Sequence, residues 1–173
     1  ELVDPNEPHL VHEDHEGISY IIAFPDGSTF CPKSFWLAHA GWGVYYGSEC
    51  PYNISSKLHG NCQDTFRSEL RAILEILRRA IDPTWIRSDW ESAVNLVNTF
   101  ISGTPPPKDH AHYDIIGAIY TFVRHVPSNH FKVTWIPSHL LDEGSEKKLA
   151  LYYEVGGSHA DLVSNEHADT LAK

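Results

Sequence analysis

Methionine, long apolar runs and a secretory signal are all missing from this sequence. Its 173 residues contain no methionine and begin at Glu1, so we expect a piece of a longer polypeptide. No apolar run approaches the ~20 residues that a membrane-spanning helix needs. No basic segment followed by an apolar one, the mark of a secretory signal, opens the chain. We therefore expect a protein that is not secreted and has no membrane partner.

Cysteine is scarce. Cys31, Cys50 and Cys62 are odd in number and include no Cys-x-x-Cys pair, which argues against a disulfide framework or a zinc knuckle. This usage favours a reducing compartment, so we expect an intracellular protein of the nucleus or the cytoplasm.

Positive charge is also in deficit. Thirteen Lys and Arg residues face 23 Asp and Glu residues, for a formal net charge of −10. This argues against nucleic-acid binding, because phosphate contacts need basic side chains. The objection weakens if carboxylates hold divalent ions, since each ion adds two positive charges. The remaining deficit predicts weak nucleic-acid binding by this chain alone.

Residues 1–16 are polar, acidic and rich in histidine, and they predict a flexible leader before a domain that covers residues 17–173. The three-residue spacing of His9, His12 and His15 is compatible with a metal site, although solvated leader residues are the favoured interpretation.

The rest of the chain shows three short apolar strands and then a change to helical periodicity. Pro25-Asp26-Gly27, after the first strand, is typical of a turn. Ser88, with Glu91 three residues later, has the spacing of a capping box. The predicted strands are 18–24, 41–46, 55–62, 85–87 and 131–136, and the predicted helices cover about 66–80, 88–102, 109–123 and 165–173. This order implies an α/β fold with a five-stranded mixed sheet, three antiparallel strands followed by parallel crossovers, and helices on both faces.

Four acidic residues occupy positions where a site could form. Asp26 and Asp89 follow predicted strands, Glu69 lies at the margin of the apolar face of the first helix, and Asp169 lies in the last helix. Taken singly, Asp26 could be a turn residue, Asp89 an N-cap, Glu69 a partner for helix-surface arginines and Asp169 a solvated acid. As a convergent set they would repel one another unless hard cations such as Mg²⁺ or Mn²⁺ were bound. Two such ions ~3.5–4 Å apart can clamp a phosphodiester during its hydrolysis.

Six segments carry a resemblance to a known family. The segments are Asp26-Gly27-Ser28, Gly41-Trp42-Gly43, Arg67-Ser68-Glu69-Leu70, Ser88-Asp89, Trp135-Ile136-Pro137-Ser138-His139 and 165–172 (NEHADTLA). In this order they resemble the D-G-S, G-W-G, R-A-E-L, T-D-S, W-V-x-G-H and N-E-R-A-D-x-L-A motifs of the ribonuclease H family. The resemblance covers roughly residues 17–173.

The resemblance implies an endoribonuclease that cuts the RNA strand of RNA–DNA hybrids with two Mg²⁺ (or Mn²⁺) ions per site and leaves 5′-phosphate and 3′-hydroxyl ends. It implies that Asp26, Glu69, Asp89 and Asp169 are the catalytic, metal-binding residues. Asp26 would bridge both ions, Glu69 and Asp89 would hold the ion near the leaving group, and Asp169 would hold the ion that activates water. Glu69 would also lie near the ribose 2′-hydroxyl that distinguishes RNA from DNA.

The partners follow from the same resemblance. The substrate would be an RNA–DNA hybrid. The sequence of residues 135–139 is closer to that of retroelement enzymes, which implies a reverse transcriptase domain in the same polypeptide. We expect a monomer.

Two other functions stay open. A catalytically weak or inactive ribonuclease H-like scaffold module is favoured by the acidity and by the lack of a Lys-rich protrusion, whereas the intact set of acids argues against it. A different nuclease on the same scaffold is disfavoured, because Ser28 stands where proofreading exonucleases want an acid and Asp169 where integrases want a Glu.

A catalytic histidine of the family has two candidates here. His139 matches from the strand side and His159 from the helix side, and an insertion at about residues 140–158 separates them. We favour His139, because the preceding strand anchors it. The segment 145–157 could form a short helix ending at Gly156-Gly157 that folds over the substrate groove.

Overall fold

A long central strand organises the sheet. The computed structural model describes all residues from 1 to 173. The strands are β1 (His12–His15), β2 (Ile18–Phe30), β3 (His39–Tyr45), β4 (Ile54–Lys57), β5 (Thr84–Ser88) and β6 (Phe131–Trp135). The helices are α1 (Thr65–Arg79), α2 (Glu91–Ile101), α3 (Tyr113–Arg124), α4 (Glu146–Glu154) and α5 (His159–Ala172).

The sheet is mixed, with the order β4-β3-β2-β5-β6 and with β1 added beside the start of β2. The β2–β3 and β3–β4 pairs are antiparallel, and the β2–β5 and β5–β6 pairs are parallel. β2 pairs with β5 through Ile21–Ala23 and with β3 through Phe24–Phe30. The predicted α/β class and mixed sheet are confirmed, and β1 is a sixth strand that the sequence did not predict.

Helices cover both faces of the sheet, because successive side chains of β2 point to opposite sides. Ile21 and Ala23 belong to the core shared with α1, α2 and α3, whereas Ile22 and Phe24 pack with Ala168 of α5 on the other face. None of the helices combines the length and the apolar character that crossing a bilayer requires.

α1 follows its sequence pattern closely. Its apolar stripe of Leu70, Ile73 and Leu77 is buried. Asp64 caps its N-terminus, since a carboxylate oxygen accepts a hydrogen bond from the Arg67 backbone N–H at 2.7 Å. The cap and the buried stripe together fix where α1 starts and which face it turns to the sheet.

The predicted turn at Pro25-Asp26-Gly27 is not a turn. β2 continues through it as far as Phe30, and Asp26 pairs with Gly43 in the middle of the ladder with β3. Asp26 therefore lies within a strand instead of at its end. Cross-strand pairing over seven positions outweighs the local turn propensity of these three residues.

The predicted flexible leader is ordered. Val3 and Leu10 are buried, the Val3 N–H donates to the Arg79 carbonyl at 2.8 Å, and β1 pairs with the start of β2. The polar composition of residues 1–16 concealed this docking, which buries only two apolar side chains and adds backbone pairing with β2.

Three predicted helix starts are displaced. α3 begins at Tyr113, four residues later than predicted. α5 begins at His159, six residues earlier than predicted, after Ser158 as its cap. α2 begins at Glu91, and Ser88 does not open it with a capping box. Ser88 is instead the buried last residue of β5, and its hydroxyl accepts from the Trp90 N–H at 3.1 Å.

A buried arginine joins three elements. The Arg87 guanidinium of β5 is 8 % exposed and forms ion pairs with Glu13 of β1 at 2.6 Å and with Asp161 of α5 at 2.8 Å. It also lies 4.1 Å from the centre of the Trp85 ring. Charge, hydrogen bonding and stacking thus tie the leader and α5 to the parallel part of the sheet.

We predict that Arg87→Ala lowers the free energy of unfolding by about 3 kcal/mol, because it leaves Asp161 uncompensated in a mostly buried position. Arg78→Ala is the matched control: its ion pair with Glu75 is on the surface, with Arg78 53 % exposed, and should contribute about 1 kcal/mol or less. Urea denaturation followed by circular dichroism measures both. Equal losses in the two variants would contradict a structural role for Arg87.

Candidate functional site

Three of the predicted acids meet where β2, α1 and the end of β5 come together. Asp26, Glu69 and Asp89 each offer a carboxylate oxygen, and these oxygens all lie within 4.8 Å of one another. The parallel pairing of β2 with β5 brings Asp26 and Asp89 to the same region of the sheet. α1 supplies Glu69 from one side.

Glu69 is completely buried, and only one of its oxygens is satisfied. Its Oε1 accepts a hydrogen bond from the Gly27 N–H at 2.8 Å, whereas Oε2 has no hydrogen-bond partner. Gly27 permits this approach because a Cβ there would lie 2.5 Å from the Glu69 backbone nitrogen. Burial, and then the nearby charges of Asp26 and Asp89, raise the pKa of Glu69 well above its ordinary value.

Asp26 is in a similar position on β2. It is 5 % exposed, and its Oδ2 has no hydrogen-bond partner. Burial, followed by repulsion from Asp89, raises the pKa of Asp26 to about 8. Carboxylate oxygens that are buried, close together and without hydrogen-bond donors are costly unless a cation neutralises them.

Asp89 is oriented by a residue that the sequence analysis did not single out as functional. The Asn165 side-chain amide donates to Asp89 Oδ2 at 3.0 Å. Burial raises the pKa of Asp89, although the Asn165 hydrogen bond and the nearby His139 lower it. Asn165 lies one helical turn before Asp169 on α5, so the spacing of these two polar residues could have indicated a shared face.

Asp169 lies close to the other acids but outside the group of three. Its charge contributes to the raised pKa values of Asp26 and Asp89. Its Oδ2 is held by the Lys173 ammonium at 2.5 Å, one turn further along α5. The carboxylate of Asp169, the fourth predicted acid, is therefore already paired with a cation, the Lys173 ammonium.

The two candidate histidines lie in different surroundings. His139 follows β6, has a left-handed backbone (φ 55°) and lies near enough to Asp89 to affect its pKa. His159 is the first residue of α5, and its Nδ1 lies 2.7 Å from the Tyr153 hydroxyl. Of the two, His139 is the one whose charge affects the pKa of Asp89.

The insertion contains a helix, α4, in the segment where one was expected. α4 borders a cavity of about 890 Å³ whose lining includes Trp85, Trp135 and Tyr152. None of the four acids lines this cavity. α4 therefore faces β5 and β6 across a cavity that the carboxylates do not line.

The donor set fits hard divalent cations. Asp26, Glu69 and Asp89 supply oxygen ligands only, and the partnerless oxygens of Asp26 and Glu69 are the atoms that a cation would satisfy. Mg²⁺ and Mn²⁺ prefer such ligands. Asp169 could join them if its carboxylate left Lys173.

Comparisons with known proteins agree with this fold. No protein-family profile matches the chain. The chain is 31% identical over 98 residues, or 57% of its length, to a ribonuclease H from Schizosaccharomyces pombe, and it spans only about a third (35%) of that protein. These 98 residues support the resemblance to the ribonuclease H family.

Solved structures extend the likeness to most of the chain. The ribonuclease H domain of prototype foamy virus matches with a TM-score of 0.61 at 17% identity, over 87% of this chain and 90% of the viral domain. The protease-reverse transcriptase of prototype foamy virus matches with a TM-score of 0.59 at 16% identity, over 87% of this chain and 20% of the viral protein. The chain therefore has the ribonuclease H fold.

We predict that the metal-free protein loses stability as the pH rises from about 4 to about 8. Asp26 has a pKa of about 8 in the folded state but about 4 when unfolded. Between these values the folded protein keeps a proton that the unfolded chain releases, so a higher pH favours unfolding.

Urea denaturation of chelator-treated protein at intervals across this range measures the slope. Asp26→Asn cannot ionise at this position and should show a shallower slope, whereas Asp14→Asn, at an exposed position of β1, should keep the wild-type slope. The same slope in all three proteins would contradict the raised pKa.

Proposed function

We propose that this protein is a metal-dependent endoribonuclease that hydrolyses the RNA strand of RNA–DNA hybrids by a two-metal-ion mechanism, leaving 5′-phosphate and 3′-hydroxyl ends. The observation that carries the proposal is the convergence of Asp26, Glu69 and Asp89, with two buried oxygens lacking any hydrogen-bond partner, on a ribonuclease H fold. A structural role alone would not account for three carboxylates that repel one another.

Two Mg²⁺ or Mn²⁺ ions would be held by Asp26, Glu69, Asp89 and Asp169. When bound, such ions lower the pKa of water and stabilise the charge that develops on a phosphodiester undergoing displacement. Asp26 lies among the other acids, which suits a ligand shared between two ions. Asp169 would bind after releasing Lys173.

The protein's own groups hold this ligand set in place. The Gly27 N–H fixes the rotamer of Glu69 by binding Oε1, which leaves Oε2 directed at the site. Asn165 fixes Asp89 in the same way. His139 would take up or deliver a proton as the product leaves. Glu69 is on α1 and Asp89 directly follows β5, so regular elements support both carboxylates, as a preorganised site requires.

The proposed substrate class rests on the fold and on the chemistry of the carboxylate site. A foamy viral protease-reverse transcriptase, which matches with a TM-score of 0.53 at 14% identity, was solved in complex with an RNA/DNA hybrid. By that analogy the hybrid would lie across the carboxylates with a ribose 2′-hydroxyl near Glu69. A reverse transcriptase domain in the same polypeptide would supply the basic contacts that this acidic chain lacks.

The net charge of −10 favours a second candidate, a catalytically weak or inactive ribonuclease H-like scaffold module. Phosphate contacts supply much of the affinity of nucleic-acid binding proteins. Cleavage of a labelled hybrid in the presence of Mg²⁺ or Mn²⁺ separates the two candidates, because the scaffold module would bind or contact the hybrid without cutting it.

We predict that Asp26→Asn abolishes cleavage of a labelled RNA–DNA hybrid in Mg²⁺ and in Mn²⁺. A neutral amide is a poor ligand for hard cations and cannot offset their charge. Asp14→Asn, an exposed and unpaired acid on β1, serves as the control and should cleave at the wild-type rate.

Thermal melting supplies a second readout for the same variants. Millimolar Mn²⁺ should raise the Tm of the wild-type and Asp14→Asn proteins, because the ions bind only the folded state, and should shift Asp26→Asn much less. Wild-type cleavage by Asp26→Asn would refute the two-metal assignment, and no effect of Mn²⁺ on the wild-type Tm would refute a convergent metal site.

We predict that His139→Ala lowers single-turnover cleavage by at most ~10²–10⁴-fold, the range of general acid–base contributions, while the Mn²⁺-induced rise in Tm is kept. His159→Ala should be nearly silent, since its ring contacts Tyr153 on α4. Slow cleavage by His159→Ala with normal cleavage by His139→Ala would show that the histidines have been assigned the wrong way round.

A further inference from the structure

A second group of metal-ligand side chains lies at the N-terminal ends of α1 and α3. Cys62 Sγ, Asp64 and His112 offer ligand atoms that all lie within 4.8 Å of one another. The Cys62 thiol is 2.9 Å from Asp64 Oδ2, and His112 Nε2 is 3.5 Å from the same oxygen. None of these residues belongs to the carboxylate site.

The imidazole ring of this group is buried and makes no hydrogen bond. His112 is 8 % exposed, its Nδ1 has no partner, and its Nε2 has only the 3.5 Å approach to Asp64. Phe66 packs edge-on against the ring, with centroids 5.6 Å apart. The Nε2 atom makes no hydrogen bond and approaches Asp64, so the ring can bind a ligand on that side.

The two carboxylate oxygens of Asp64 have different contacts. Oδ1 accepts the Arg67 N–H and caps α1, whereas Oδ2 faces Cys62 and His112. The capping bond fixes the orientation of the carboxylate, so the second oxygen is held in place for a ligand. Cys62 is exposed and, with Asp64, lines a surface cavity of about 390 Å³ that gives access from solvent.

The ligand types select the metal. A thiolate and an imidazole suit Zn²⁺ and similar borderline-soft ions, and they do not suit Mg²⁺ or Ca²⁺. With Zn–S near 2.3 Å and Zn–N or Zn–O near ~2.0–2.2 Å, the ligand atoms of a tetrahedral site lie within ~4 Å of one another. The observed 2.9 Å and 3.5 Å separations need only small side-chain rotations to reach this geometry.

We propose that Cys62, Asp64 and His112 bind one Zn²⁺ ion, with water completing the coordination. On binding, the Cys62 thiol gives its proton to solvent and becomes a thiolate ligand. The ion connects the segment before α1 to the segment before α3. The two helices themselves are already joined by the Arg67–Asp114 ion pair. Since Glu69 lies five residues after Asp64, a metal here would also stiffen the helix that carries Glu69.

Cobalt substitution tests the site directly. Chelator-stripped protein in excess Mg²⁺, which occupies sites made of oxygen ligands alone, is titrated with Co²⁺ while the thiolate-to-cobalt charge-transfer absorption is recorded. We expect a band that saturates at one Co²⁺ per chain and disappears when Zn²⁺ is added. The band reports thiolate ligation, so binding to the four acids cannot produce it.

Variants identify the ligands. Cys62→Ser should abolish the band, whereas Cys31→Ser, which removes another free thiol, and Asp26→Asn should keep it. Asp64→Asn preserves a good N-cap and should weaken Zn²⁺ binding at least as much as the ~10–100-fold that loss of an outer-shell partner costs. This variant separates ligation from helix capping.

Stability gives an independent measurement. In excess Mg²⁺, which occupies the oxygen-ligand site, Zn²⁺ at ~100 times its Kd should raise the wild-type Tm by roughly 5–10 °C and should leave the Tm of Cys62→Ser unchanged. No charge-transfer band in the wild type, or an unchanged band in Cys62→Ser, would overturn the proposal. Neither result would affect the hybrid-cleavage proposal, which is tested without Zn²⁺.

Discussion

The complete burial of Glu69 where α1 crosses β2 is the constraint on which the candidate site depends. The helix can approach only because Gly27 has no side chain, and the Gly27 N–H binds one oxygen of the carboxylate once it arrives. The other oxygen is then buried with nothing to bind it. The same close approach that completes the core therefore leaves a carboxyl oxygen without a hydrogen-bond partner against the middle of the sheet.

The remaining acids converge because of how the sheet is built. β2 changes partner along its length, from β5 to β3, and Asp26 lies just after this change. Asp89 follows β5, whose parallel pairing brings it alongside. Backbone pairing of the strands thus brings Asp26 and Asp89 together, and the packing of α1 on β2 adds Glu69. Their repulsion lowers the free energy of unfolding, and the packing of the whole domain offsets this loss.

The sequence predicted the parts of this structure that depend on local pattern. The periodic Leu70, Ile73 and Leu77 located α1, and the apolar runs located the central strands. The order of the acids along the chain and the motif resemblance predicted that Asp26, Glu69, Asp89 and Asp169 converge; the structure groups the first three and leaves Asp169 outside that group. Their roles remain a proposal.

Parts that depend on distant partners were not predicted. β2 passes through Pro25-Asp26-Gly27 because β3 pairs with it there, and the leader is ordered because Val3 bonds to Arg79, 76 positions away. Asn165 appeared in the sequence only as part of a motif. Its contact with Asp89 exists because α5 packs across β2 and β3, which no local pattern reveals.

The Asp169–Lys173 ion pair has a consequence for how the proposed site fills. The ammonium is tethered one turn from the carboxylate, so it acts as an intramolecular competitor at a high and constant effective concentration. An ion that binds Asp169 must displace the Lys173 ammonium. An ion that binds Glu69 has no side-chain cation to displace. The two positions would therefore load in sequence, the Glu69 side first, and the free metal concentration would decide how often both are filled.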